Sequence, residues 1–524
     1  MDIQTIQKID NKSTKTMTFT RLVVAILFIF LVFIWSYTQY GSSTNIFLFI
    51  GAIFGAYMAM NIGANDVANN VGPAVGSKAL TMLGAVVIAA VFETAGTFLA
   101  GADVVNTIKN GIIDPSLIPN PEVFVWAMAA ALLAAAIWLN FSTFIGTPVS
   151  TTHSIVGGVL GAGIAAAGFD VVSWISVGKV VLSWIISPIL GGIFAAGFLY
   201  FIKRNIVHKK DMLKAAKTFV PLLLSIMTWA FVAYLILKGL KHLVHLNTIT
   251  TIIISLIVGV IAYFILKPLV AKKALSLENT RESVNSLFNI PLIFAAALLS
   301  FAHGANDSAN AIGPLAAIAS SVIHSNMSSN VGIPYWVMGI GGLGISIGLL
   351  LYGPKLIKTV GSEITELDQI RAFSIAISSA VVVILASGLG LPVSSTHIAV
   401  GGVFGVGFLR EWLYSSESSF IRETKHKLTK RKKELNIYNA ELKKLDAKEK
   451  KDKATYRRII ELFNLIEKAE SKAKSWKKEF KSAKKVKYVK REAVNKIVAA
   501  WVITVPAAAL IGAGVFYMIR GIML

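Results

Sequence analysis

The chain has 524 residues, 55% of them hydrophobic and only 15% charged, with a mean hydropathy of +0.67. That is far more apolar sequence than a soluble core of this length needs, so the composition excludes a soluble globular protein and marks a polytopic membrane protein. The absence of cysteine excludes disulfides, thiolate metal sites and cysteine nucleophiles, and the formal net charge of +23 matters more by its location than by its size.

A polar stretch of about twenty residues precedes the first apolar run, which lacks a small-residue cleavage site and reads as a retained helix, not a removed signal peptide. Apolar segments long enough to cross the hydrocarbon follow in order near 22–39, 44–62, 80–102, 123–140, 148–166, 174–202, 218–238, 247–270, 288–303, 332–352, 371–388, 393–409 and 495–519. They predict an all-α polytopic membrane protein of about 12–13 membrane segments. The expected organisation is a tail and extra helix over 1–43, a first repeat over 44–203 and a two-helix linker over 204–287. The first part of a second repeat follows over 288–410, then a helical insertion over 411–493 and a last membrane helix over 494–524.

Residues 411–492 hold 26 Lys/Arg against 13 Asp/Glu, so +13 of the +23 lies in one segment without Gly or Pro. Leu428, Leu435, Leu442, Leu445, Ile459, Leu462, Leu465 and Ile466 recur there at near-heptad spacing, the pattern of a coiled-coil-like helix pair. A solvated cytoplasmic insertion is the expected role. Nucleic-acid binding is not expected, because no aromatic interleaving or nucleic-acid motif accompanies the basic run.

If that segment is cytoplasmic, the positive-inside rule places the basic loops around Lys8 to Arg21, Lys203 to Lys217, Lys272 to Arg281 and Lys355 with Lys358 inside as well. The N-terminus is then inside and the C-terminus outside. Lys109, Lys238 and Lys241, in or near outside loops, are exceptions. Seven crossings from the span at 44 to the span at 288 invert the second half against the first, the usual architecture of secondary transporters. Treating 148–166 as re-entrant changes that parity.

The halves are visible because the chain carries two short motifs twice. Gly63-Ala64-Asn65-Asp66-Val67-Ala68-Asn69-Asn70-Val71-Gly72-Pro73 returns as Gly304-Ala305-Asn306-Asp307-Ser308-Ala309-Asn310-Ala311-Ile312-Gly313-Pro314, eight of eleven positions identical. Gly146-Thr147-Pro148-Val149-Ser150-Thr151-Thr152-His153 likewise returns as Gly390-Leu391-Pro392-Val393-Ser394-Ser395-Thr396-His397. The offsets, 241 and 244, agree to within one helical turn. Gly63, Gly72-Pro73, Pro148, Gly304, Gly313-Pro314 and Pro392 are expected to break the helices that carry these motifs.

A carboxylate at membrane depth must be paired, protonated or bound to a cation, and no Lys or Arg lies within about a dozen residues of Asp66 or Asp307 except Lys78 at a span end. Asn65, Asp66, Asn69, Asn306, Asp307 and Asn310 supply hard oxygens suited to an alkali or hard divalent cation; capping of broken helices is the plainer alternative. Ser150, Thr151, Thr152, Ser394, Ser395 and Thr396 follow a proline and open Gly-rich apolar helices. Hydroxyls, free backbone N–H groups and the positive end of the dipole make an anion site there without a formal charge, unless the hydroxyls only cap. His153 and His397 are proton carriers, metal ligands or hydrogen-bonded structural groups. Glu93, inside an apolar span, either helps the cation site or bridges helices. The Trp residues at 126, 138, 174, 184 and 336 read as interface anchors or packing.

The paired Gly-Ala-Asn-Asp-x-Ala-Asn and Gly-x-Pro-Val-Ser-Ser/Thr-Thr-His motifs resemble those of the inorganic phosphate transporter family, PiT, over roughly residues 44–203 and 288–520. The resemblance implies symport of inorganic phosphate with sodium or protons through an inverted-repeat core in the cytoplasmic membrane, often in a homodimer, with no cofactor and no enzymatic activity. It places coupling cations, with sodium the first choice, on Asn65, Asp66, Asn69, Asn306, Asp307 and Asn310, and phosphate on the two hydroxyl triplets, with Asn65 and Asn306 beside them. Two departures stand out. Members of the family carry a second intramembrane Glu roughly where this chain has Ala376, which bears on the number or identity of coupling ions. The first helix and the insertion lie outside the common core. Sulfate is the runner-up substrate. A phosphate sensor acting through the basic helices is the alternative of another class, and an intramembrane hydrolase is disfavoured because the would-be nucleophiles are duplicated and no nucleophile elbow is present.

Overall fold

The computed structural model describes residues 3–41, 46–145, 147, 149–240, 246–324, 332–363, 367–417, 419–448, 450, 452–484 and 491–523. Nineteen α-helices occur among them: α1 Ile3–Tyr40, α2 Phe47–Asn65, α3 Val67–Gly76, α4 Met82–Ala100, α5 Ala102–Asn110, α6 Pro121–Ile145, α7 Thr151–Ala167, α8 Trp174–Ile202, α9 Met212–Tyr234, α10 Thr248–Ala274, α11 Arg281–Leu287, α12 Asn289–Asp307, α13 Ala309–His324, α14 Tyr335–Glu363, α15 Gln369–Gly388, α16 Ser395–Glu417, α17 Ser419–Asp446, α18 Lys453–Lys484 and α19 Arg491–Met523. The chain divides into two units, residues 1–406 with 491–524, and residues 407–490.

In the first unit, eleven helical segments among the described residues are long and apolar enough to cross a membrane. Two of the thirteen expected spans, 148–166 and 393–409, are not among them, and without 148–166 the seven crossings counted from the span at 44 to the span at 288 become six, so the span count alone no longer inverts the second half. α7 has only 17 residues, about 25 Å of helix against the ~30 Å of hydrocarbon. α16 begins with Ser395, Thr396 and His397 and carries Arg410 and Glu411, which lower its hydropathy. Two other spans are longer than expected, because the apolar run continues past each Asp motif, over Phe47–Gly76 and Arg281–Ile323.

The glycines of the motifs do not break these helices. The interruptions fall at Asp66, between α2 and α3, and at Ser308, between α12 and α13, while Pro73 and Pro314 lie inside α3 and α13. Gly63 and Gly304 instead allow close crossings: a Cβ on Gly63 would lie 1.9 Å from the Ile345 carbonyl oxygen, and one on Gly304 would lie 2.1 Å from that of Glu93. Gly96 and Gly348 meet the carbonyls of Phe301 and Met60 in the same way. Pro392 lies in the loop before α16; Pro148 lies outside the described residues.

These crossings are reciprocal. α2 packs on α14 and α12 on α4, with Gly63 against Ile345 matched by Gly304 against Glu93. Likewise Gly157 and Gly161 of α7 meet the carbonyls of Val505 and Ala509 of α19, and Gly401 and Gly405 of α16 meet those of Pro188 and Gly192 of α8. Residues on the dividing axis touch their own counterparts: Thr94 Oγ1 lies 3.0 Å from Ser346 Oγ. Such exchange is the signature of an approximate twofold relation between halves. On the outside of the unit, α1 and α10 expose Leu27, Phe30, Leu31, Ile253, Leu256 and Ile257, a surface suited to hydrocarbon and not to water.

The second unit is an antiparallel helix pair. α17 packs on α18 with Leu462 and Ala469 buried in the seam. Arg458 clamps Glu441 across it through Nε (2.8 Å) and Nη2 (3.2 Å), and Asp452 accepts the Thr455 N–H at the turn (2.8 Å).

Candidate functional site

The reciprocal packing brings the two Asp motifs and the two hydroxyl triplets to one buried place. Asp66 and Asp307 sit at the interruptions of their helices and are 1% and 0% exposed. Each carboxylate accepts a hydroxyl proton from its own half, Thr151 Oγ1 to Asp66 Oδ2 and Ser395 Oγ to Asp307 Oδ2, both at 2.8 Å. The second asparagine of each motif crosses to the other half. Asn69 Nδ2 donates to Thr396 Oγ1 (2.8 Å), and Asn310 Nδ2 donates to Thr151 Oγ1 (3.1 Å) and Thr152 Oγ1 (3.2 Å).

The first asparagines hold the loops ahead of the hydroxyl triplets. Asn306 Oδ1 accepts the Val393 N–H (3.2 Å), and its Nδ2 donates to Leu391 O (3.1 Å) and Ser387 Oγ (2.9 Å). The Asn65 amide lies 2.8 Å from Thr143 Oγ1 and reaches Val149. Ser150 and Ser394 act as helix caps, accepting the N–H groups of His153 (3.1 Å) and His397 (3.2 Å), which orders the first turns of α7 and α16. Thr152 Oγ1 donates to Val393 O (2.9 Å), tying one triplet to the loop of the other.

Buried oxygens without donors fit a cation here. Asp307 Oδ1 and Asn310 Oδ1 accept no hydrogen bond, and one ligand-capable atom from each of Asp66, His303 and Asp307 falls within 4.8 Å of the others. A cation bound to hard oxygens satisfies such groups where water is excluded.

His303 escaped the sequence reading. It stands one residue before the second motif, on α12, with its Nδ1 2.6 Å from Glu93 Oε2 and its Nε2 2.9 Å from Asp307 Oδ2. Glu93 Oε1 accepts from Asn70 Nδ2 (2.8 Å). Glu93 therefore bridges helices and reaches Asp307 through His303. The signal is present in the sequence, a histidine in an apolar run next to Gly304 and one helical turn before Asp307, because a histidine can partner a buried carboxylate as Lys and Arg do.

His153 and His397 meet at the axis with ring centroids 4.5 Å apart, and they are flanked by Trp184 (3.9 Å from His153) and Trp501 (3.6 Å from His397). Trp184 Nε1 donates to Pro392 O (3.0 Å). Trp184 is thus packing built into the site. Of the other tryptophans, Trp126 is buried, Trp174 is exposed, Trp138 donates to Thr504 and Trp336 packs on Trp35.

Residues 62–512 match the sequence profile of the family described as "Phosphate transporter family". Two curated relatives bear the name "Putative phosphate permease". One, from Helicobacter pylori, is 47% identical over 98% of this chain and 98% of its own length; the other, from Haemophilus influenzae, is 38% identical over 71% of this chain and 90% of its own. A solved structure titled "The sodium-dependent phosphate transporter" superposes with a TM-score of 0.73 at 30% identity, covering 91% of this chain and 99% of that one.

Proposed function

The chain belongs to the phosphate transporter family, and from that premise we propose that it is a symporter that carries inorganic phosphate across the membrane with sodium by alternating access. The observation that carries the reading is the crossed pair of contacts, Asn69 to Thr396 and Asn310 to Thr151 and Thr152. Each half contributes the carboxylate motif that supports the other half's hydroxyls, so loading either part reorganises both.

Sodium ions at Asn65, Asp66, Asn69, Asn306, Asp307 and Asn310 draw the carboxylates onto themselves. Thr151 and Ser395, which now donate to those carboxylates, are then released toward an anion, with Thr152, Thr396, Ser150 and Ser394 around them. Phosphate carries between one and two negative charges near neutral pH and two ionised carboxylates add two more, so several cations bring the buried charge toward neutrality. Cation and phosphate affinities then raise each other reciprocally. The twofold axis through Thr94 and Ser346 is read as lying in the membrane plane, so that the same core opens to either face. The N-terminus and the 411–493 insertion are assigned to the cytoplasmic side, and a homodimer to the assembly.

Uptake of labelled phosphate into proteoliposomes, under an inward sodium gradient or an inward proton gradient imposed separately and with sulfate as competitor, tests the reading. Uptake driven by sodium alone supports it. Uptake driven only by protons moves the coupling to Glu93 and the histidines. No uptake under either gradient favours sulfate transport or sensing.

A further inference from the structure

Three lysines stand where the positive-inside rule disfavours them, Lys109, Lys238 and Lys241. Lys109 is buried in α5 and Lys241 lies outside the described residues. Lys238 is different. It closes the span of α9, in the π-helical turn Leu235–Gly239, and its ammonium pairs with Asp103 at the start of α5, both side chains partly exposed at 28% and 37%.

That pair lies against the turn that leads into the second hydroxyl triplet. A Cβ on Gly388, the last residue of α15, would lie 3.9 Å from Lys238 Cε. One turn beyond Asp103 on α5, Thr107 Oγ1 donates to Gly390 O (2.6 Å). Gly390 adopts φ +68°, and a Cβ there would lie 3.5 Å from both Asp103 O and Thr107 Oγ1. Gly390 therefore lets the loop press against α5 in a left-handed conformation. The same loop runs through Leu391 and Val393, held by Asn306, to Ser394, Ser395 and Thr396.

We propose that Lys238, lying against the Gly388–Gly390 turn and paired with Asp103, is the first docking point for the oxyanion on its way to the hydroxyl triplets, with the Asp103 carboxylate holding its place until the anion arrives. The proposal rests on the reading of this protein as a phosphate symporter with the α9–α10 connection outside. A carboxylate and a phosphate present the same kind of acceptor oxygen to an ammonium. A half-exposed ion pair contributes only about 0–1 kcal/mol, so exchanging one acceptor for the other is cheap. Once freed from Asp103, a cation beside this turn also raises the local anion concentration. Because Asp103 and Thr107 share one helix, displacing Asp103 from Lys238 loosens the helix that rests on Gly390.

The test compares the kinetics of sodium-driven phosphate uptake by the full chain carrying Lys238→Met, Asp103→Asn or the exchanged pair Lys238→Asp/Asp103→Lys, each checked for monodispersity in detergent. An ion pair that only braces the fold and an anion-docking lysine give opposite patterns. For docking, Lys238→Met raises KM on the order of fivefold, the scale of about 1 kcal/mol, and kcat falls less. Asp103→Asn lowers KM, and the exchanged pair does not restore the native value. Equal losses in both single variants with recovery in the exchanged pair, or an unchanged KM in Lys238→Met, overturn the proposal. Absence of uptake by the unaltered protein would instead overturn the underlying reading, so the two failures are distinguishable.

Discussion

His153 and His397, counterparts in the two halves, touch edge to face with ring centroids 4.5 Å apart. Neither ring nitrogen of His153 has a side-chain partner, and Nε2 of His397 has none. What flanks the pair is a tilted ring contact with Trp184 on the His153 side and a stacked one with Trp501 on the His397 side, so the geometry favours rings over ring nitrogens.

His153→Phe is therefore expected to leave the thermal midpoint in detergent within a few degrees of the unaltered protein, since exchanging a buried unpaired polar group for an apolar one of similar shape is close to neutral. Trp184→Ala removes the ring contact and the bond to Pro392 O and is expected to cost about 3–5 kcal/mol. A large loss of uptake in His153→Phe at unchanged midpoint would instead assign that imidazole a role in proton movement.

Gly63→Ala and Gly304→Ala are expected to be among the most damaging small substitutions in the protein, because the added methyl meets a backbone carbonyl at 1.9 or 2.1 Å and carbonyls on packed helices cannot rotate away. Gly178→Ala and Gly197→Ala in α8, with nothing within 4 Å of the added methyl, are the controls and are expected to be tolerated. Expression level and melting temperature decide it.

Asp66→Asn keeps an acceptor for Thr151 Oγ1 but removes the charge. If the carboxylate is a cation ligand, phosphate binding in the variant becomes less dependent on sodium, while in the unaltered protein each ligand tightens the other. Calorimetric titration of phosphate with and without sodium checks this. Sodium dependence that survives undiminished in the double variant Asp66→Asn/Asp307→Asn would exclude the two motifs as the coupling sites.

The duplicated motifs were legible because polar residues stand out in apolar sequence and their spacing repeats. Both Asp motifs and both triplets do converge, as Asn69 with Thr396 and Asn310 with Thr152 demonstrate. The local meaning of the glycines was not legible. Gly63 and Gly304 looked like helix breakers, yet the feature that requires them is the carbonyl of another helix, invisible until α2 and α14 are seen to cross. His303 was half legible, since Asp307 lies only one helical turn on, whereas its partner Glu93 is 210 positions away. Trp184 and Trp501 gain their place beside the histidines only through the twofold packing.

The basic helix pair gives a pH dependence with a definite sign. Hydrogen bonds from the Arg458 guanidinium hold the Glu441 carboxyl below its usual value, and those from Thr455 do the same for Asp452. A carboxylate depressed in the folded state contributes stability that is fully present above its unfolded value, about 4–4.5, and is lost as pH falls through the lowered one. Hydrogen exchange of residues 419–484 in the full chain, corrected for intrinsic rates, is expected to be flat from neutral pH down to about 5 and to quicken below about 4. Arg458→Ala is expected to remove the part of that acid response that comes from Glu441 and to leave the part from Asp452. Both groups are solvent-exposed, so the effect is small.

The sharpest departure from twofold symmetry lies at Glu93 and His303. Through the matched crossings of Gly304 with Glu93 and Gly63 with Ile345, the counterpart of Glu93 is Ile345, and at the 241-residue offset that of His303 is Ile62. One of two matched crossings between the halves thus buries a hydrogen-bonded Glu–His pair where the other crossing places two isoleucines, all at 0% exposure. Removing one member of a buried polar pair strands the other, at about 3–5 kcal/mol, whereas replacing both with well-packed apolar groups is often neutral or better. Glu93→Ile and His303→Ile are each expected to lower the melting temperature markedly. The double variant, which copies the residues of the matched crossing, is expected to recover much of the loss, a favourable coupling of about 0.5–3 kcal/mol in a double-mutant cycle. Losses that simply add would mean that the two side chains are stabilised independently, His303 by Asp307 and Glu93 by Asn70. Recovery of stability without recovery of sodium-driven uptake would show that the pair is retained for transport and not for folding.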